Sequence, residues 1–80
     1  MNGPLLVIAD NYNLARSYAR DHGLGLEGLR WRFVREWRQT RGLGPGRFVR
    51  VTRGEAPGYV LAEHDDIAAH LRATGWEEVS

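Results

Sequence analysis

Two kinds of hydrophobic pattern alternate along this chain. Leu5-Leu6-Val7-Ile8-Ala9 is an unbroken apolar run between Gly3-Pro4 and Asp10-Asn11. A short run of this kind fits a strand covered on both faces, as in parallel sheets. Leu14, Ala15, Tyr18, Ala19 and His22 then recur at helical spacing, with Arg16, Arg20 and Asp21 outside the stripe. Asn11 or Asn13 can accept a hydrogen bond from the first free amides of that helix, and Gly23 can end it in the left-handed conformation.

Two periods compete from Leu26 to Arg41. Leu29, Trp31 and Phe33 alternate with Arg30, Arg32 and Val34, whereas Leu26, Leu29, Phe33 and Trp37 fit a helical face. The β-branched and aromatic residues favour a strand over Leu29–Val34, followed by a short helix or turn over Arg35–Arg41. Gly42-Leu43-Gly44-Pro45-Gly46 has loop composition, and Arg47-Phe48-Val49-Arg50-Val51-Thr52 reads as another strand, closed by Arg53-Gly54. Pro57-Gly58 turns the chain, and Tyr59-Val60-Leu61 fits either a short extra strand or a packed loop. Asp65 or Asp66 then starts a helix with Ile67, Ala68 and Leu71 inward and Gly75 as its stop. Trp76-Glu77-Glu78-Val79 completes the order as an edge strand.

This order predicts one α/β domain over residues 1–80, a small open, mainly parallel four-stranded sheet with two or three helices. Right-handed crossovers place the first strand centrally and the arginine-alternating strand nearer an edge. A chain of 80 residues buries only about 60% of its unfolded surface, so its core must pack well. The absence of cysteine excludes disulfides, thiolate metal sites and cysteine catalysis. Leu5–Ala9 is too short to span a bilayer and lacks signal-peptide flanks, so the expectation is a soluble intracellular protein with no membrane partner.

The net charge of +1 conceals a strong asymmetry. All eleven basic residues are arginine. Between Arg30 and Arg53 eight arginines stand against Glu36 alone, a charge of +7. From Gly54 to Ser80, Arg72 stands against six carboxylates, a charge of −5. The middle of the chain is basic and its last third acidic.

Several segments together resemble the small uncharacterised α/β proteins encoded by phages of actinobacteria (the mycobacteriophage-type hypothetical proteins). They are the opening strand Val7-Ile8-Ala9-Asp10-Asn11, the helix ending in His22-Gly23-Leu24, and the strand Trp31-Arg32-Phe33-Val34 with Gly42 eight residues on. The tail, Asp66 to Gly75, is similar to theirs too. The resemblance implies a Rossmann-like or helicase-lobe-like fold in a phage-encoded accessory protein of the host cytoplasm. It carries over no catalytic residue. An all-arginine, glycine-rich composition agrees with a source of high GC content.

No catalytic constellation stands out, and the chain is read as no enzyme, with no cofactor and no metal. Gly42–Arg47 invites a phosphate-loop reading, but Pro45 removes an amide and the loop leads into a strand. Asp10 and Asn11 lie where open α/β sheets bind ligands, yet forming the turn and capping the first helix explains them. His22 falls on the inner stripe at its helix end, as a buried or capping residue. His64, Asp65 and Asp66 fit an exposed helix N-terminus better than a metal cluster. Ser17 and Ser80 sit in no nucleophile motif.

The strongest functional signal is the set of arginines interleaved with aromatics. Arg30, Arg32, Arg35, Arg38, Arg41, Arg47, Arg50 and Arg53, with Trp37 and Tyr59, are the candidate binding residues. One reading is protein binding, to a host protein or to self as a homodimer, since Trp, Tyr and Arg dominate interface energetics. A second is a nucleic-acid module with arginines on phosphates and aromatics on bases. A third is a degenerate nucleotide-binding domain. Against all of these stands an internal use, in which the basic middle faces the acidic last third across the fold or a dimer. Trp76 is read as closing the core under the last helix, and Tyr59 as more open.

Overall fold

The computed structural model describes residues 4–25, 27–28, 30–40, 42–43, 45–52, 54 and 56–79, with the Trp37 side chain excepted. Its elements run in the order β1 (Leu5–Ala9), α1 (Tyr12–Asp21), β2 (Trp31–Val34), a 3₁₀ helix (Trp37–Thr40), β3 (Arg47–Val51), α2 (Gly58–Ala73) and β4 (Glu77–Glu78). The four strands form one sheet in the order β2-β1-β3-β4, and every pairing is parallel. Val7 pairs with Phe33 on one side and Val49 on the other, which makes β1 central and β2 an edge.

Strand alternation divides the apolar residues between two faces. Leu6, Ile8, Val34 and Phe48 pack with Ile67, Ala68 and Leu71 of α2 and with Trp76. Val7, Ala9, Trp31 and Val49 pack with Ala15 and Ala19 of α1. An unbroken apolar run in β1 is what a strand covered by a helix on each face requires. Ala15 and Ala19 are fully buried, so α1 turns its small side chains to the sheet.

Local chemistry sets the ends of α1. Asn11 Oδ1 accepts a hydrogen bond from the Leu14 amide at 2.8 Å, and Gly23 leaves the helix at φ +67. Of the two readings of His22, the structure gives the cap: it is the exposed C-cap of α1, its ring stacked on Tyr18 and its Nδ1 2.9 Å from the Tyr18 carbonyl oxygen. The indole of Trp31, 1% exposed, donates to the Gly25 carbonyl at 2.9 Å, so this large core residue keeps its polar atom satisfied.

Helix α2 corrects the reading of the chain from Pro57 onward. It begins at Gly58, not at Asp65 or Asp66, and Tyr59-Val60-Leu61 is its first turn. Pro57 stands at the N-cap in extended conformation, and its carbonyl accepts from the Val60 and Leu61 amides. A proline there loses nothing, because a helix start has free amides anyway. His64 is therefore mid-helix and 5% exposed, not part of an exposed N-terminus. No acidic residue lies in the first turn, so the acidic pair gains nothing from the helix dipole there.

Candidate functional site

In open α/β sheets the carboxyl ends of the central strands, where the chain order reverses, are the place to look first. Here that point lies between β1 and β3. Asp10 follows β1 and turns its carboxylate inward, with Oδ1 3.6 Å from His64 Nε2 of α2. Both side chains are about nine-tenths buried or more, at 7% and 6% exposure. The separation exceeds hydrogen-bond range, so the contact is an ion pair whenever the imidazole is charged. Asn11 caps α1, and Asp10 sets its carboxylate beside His64 of α2. His64 Nδ1 is buried without a hydrogen-bond partner among the described residues. No group of three or more His, Asp or Glu side chains converges on a metal position among those residues.

The glycine-rich loop lies at the other end of the sheet, where it leads into β3. Its Gly46 carbonyl accepts from the Glu77 amide at 2.9 Å, which anchors β4. Leu43 packs against the core cluster under α2. The described part of the loop thus serves as a connector.

The candidate arginines separate into distinct environments. Arg50 faces the acidic last third of the chain. It donates from Nε to Glu78 Oε2 at 2.8 Å and from a terminal nitrogen to Asp65 Oδ1 at 2.6 Å. Arg72, over the Phe48 ring, joins Glu78 as well. Hydrogen bonding from Arg50 holds the Glu78 carboxyl below its ordinary range, against the opposing effect of burial. The same bond raises Arg50 further above its already high value. Of the described arginines in the basic middle, Arg50 is the one in the internal use, facing the acidic last third.

Arg32 and Arg47 are exposed, but the alternation of their strands sends them to opposite faces of the sheet. Arg30 is exposed at the bend before β2. Arg41 and Arg53 lie outside the described residues, as does the side chain of Trp37. Tyr59 is 71% exposed, the open position its neighbours suggested, while Trp76 is buried in the core at 6%.

Two of the ten candidates meet in a groove. Arg35, Glu36, Arg38 and Gln39 form one wall, and Glu63, Asp66 and Ile67 of α2 the other, around an open space of about 860 Å³. Gln39 builds the first wall. Its Oε1 accepts from the amides of Arg35 at 2.6 Å and Glu36 at 3.0 Å, folding the chain after β2 into a tight turn. Glu63 and Asp66 of the second wall continue an exposed stripe of α2 that begins at Tyr59, outside the groove, at i, i+4 and i+7. Among the described residues Arg35, Arg38, Glu63 and Asp66 make no ion pair.

Gln39, Glu63 and Asp66 escape a sequence reading directed at arginine and aromatic side chains. The signal that finds the carboxylates is the longer helical stripe Val60, His64, Ile67, Ala68 and Leu71, which places Glu63 and Asp66 on the flank of the same helix. The chain matches no protein-family model, no curated protein and no solved structure.

Proposed function

We propose that this chain is a small accessory protein of phage origin that acts in the host cytoplasm by binding protein, without catalysis. The observation that carries the reading is the groove between the 3₁₀ helix and α2. It places two guanidinium groups on one wall and two carboxylates beside Ile67 on the other, none of the four ion-paired among the described residues. Charges arranged in opposing rows favour a partner with a matching charge pattern and set its register. Tyr59, exposed one turn from Glu63, extends the surface with an aromatic of the kind that anchors interfaces.

A polyanion fits this surface less well than a protein. Glu36, Glu63 and Asp66 stand in the groove with the two arginines, and Arg32 and Arg47 occupy opposite faces. Arg50 is already engaged by Asp65 and Glu78. The phage origin and the host-cytoplasm placement rest on the resemblance and composition described above.

The test uses two forms of the protein, wild type and Arg35→Glu/Arg38→Glu, both folded by circular dichroism. The expected result is a protein partner retained by wild type and lost with the double variant. A labelled single-stranded oligonucleotide, titrated at two salt concentrations, is the counter-test. Binding that collapses with salt by about 0.7 decades per decade for each phosphate contacted would replace this reading with nucleic-acid binding.

A further inference from the structure

We propose that the groove between the 3₁₀ helix and α2 binds a second copy of this chain across a two-fold axis. This rests on the reading of the groove as a protein-binding surface and names its occupant.

A two-fold interface must be complementary to itself. Arg35 and Arg38 outweigh Glu36 on one wall, which keeps a net positive charge, and Glu63 and Asp66 supply two negative charges to the other. Rotating a second copy by half a turn sets its acidic wall against these arginines and its arginines against these carboxylates. Both contacts form at once, and each of the four groups gains an ion-pair partner that it lacks among the described residues of its own chain. A foreign partner has to reproduce this double row, whereas a second copy carries it already.

Association through the β2 edge is hindered. The outward amide of Phe33 donates to Glu27 Oε2 at 2.8 Å, and the outward carbonyl of Trp31 accepts from the Gly28 amide at 2.9 Å. The next outward amide, that of Arg35, is held by Gln39. With these groups occupied, an added strand finds few free partners on that edge.

Sedimentation equilibrium on the full chain tests the proposal, with two charge-reversed variants and their equimolar mixture. Wild type rises with concentration from the 9.1 kDa monomer toward twice that mass, and does so less at high salt. Arg35→Glu/Arg38→Glu alone, and Glu63→Arg/Asp66→Arg alone, set like charges against each other and weaken association by more than about tenfold. Mixing the two variants makes both contacts complementary again and restores a dimer. Circular dichroism on each variant separates lost binding from lost fold, and Arg35→Gln/Arg38→Gln serves where reversal unfolds the chain.

A wild type that stays monomeric throughout overturns the proposal, as does a mixture no more associated than its components. If wild type is monomeric but still binds another protein through the groove, only the second copy is ruled out. If it binds neither, the protein-binding reading falls with it.

Discussion

Arg50 donates its Nε hydrogen to Glu78 Oε2 at 2.8 Å, joining β3 to the two-residue strand β4. The guanidinium also reaches Asp65 of α2, so one side chain holds the edge strand and the covering helix together. An arginine that sequence alone offers to a partner is thus turned to the fold.

Stability should follow this contact as the pH falls. The Glu78 carboxyl is lowered in the folded protein, chiefly by its hydrogen bond from Arg50. A lowered folded value contributes stability above the unfolded carboxyl pKa of about 4.3, lost as the pH falls through the folded value. Glu78→Gln should therefore cost about 1 kcal/mol at neutral pH, and the gap to wild type should close in acid. Urea midpoints measured for both proteins down the pH scale check this; a gap that widens in acid contradicts it.

His64 faces Asp10 from inside the fold, and removing it leaves a buried carboxylate beside a cavity. His64→Ala should lose about 2–3 kcal/mol in chemical denaturation. His70→Ala, on the exposed face of the same helix, should lose well under half of that. Equal losses would mean that burial at His64 does not decide the cost.

Glu27 guards an edge more than it strengthens the fold. Its carboxylate occupies the Phe33 amide from an exposed position. In Glu27→Ala the midpoint should shift by less than about 1 kcal/mol, while light scattering on concentrated samples should rise as the β2 edge opens to strand pairing. A variant that scatters like wild type would show the edge protected by other means.

Among the described residues Asn11 makes the only N-terminal side-chain cap of either α-helix. Asn11→Ala should destabilise the protein by about 1 kcal/mol, and Asn11→Asp should recover most of it, since aspartate presents the same oxygen. Thermal melts of the three proteins give the order directly.

The elements most legible in the sequence are those whose local chemistry agrees with their tertiary setting. β1 spans the apolar run residue for residue, and α1 starts at the Asn11 cap. The start of α2 was hidden because Pro57-Gly58 carries turn chemistry and Tyr59-Val60-Leu61 carries strand propensity. Burial of His64 on the stripe of Ile67 and Leu71, with Val60 half-buried at its start, overrides both. Arg35, Arg38 and Tyr59 were legible as surface candidates from charge and aromatic character. Their relation to Glu63 and Asp66 was not, because it depends on α2 beginning a full turn and more before the acidic pair. Arg50 could be assigned to neither use until β4 set Glu78 beside it.

The central claim is that the groove between the 3₁₀ helix and α2 is a protein-binding surface. A photoreactive residue placed at Gln39 tests it most directly, with one at Arg20 on the exposed side of α1 as control. On irradiation in cells producing the protein, the groove position should give discrete protein adducts that disappear in the Arg35→Glu/Arg38→Glu background, and the control position should not. Adducts equal at both positions, or none at Gln39 from a folded protein, would contradict the account.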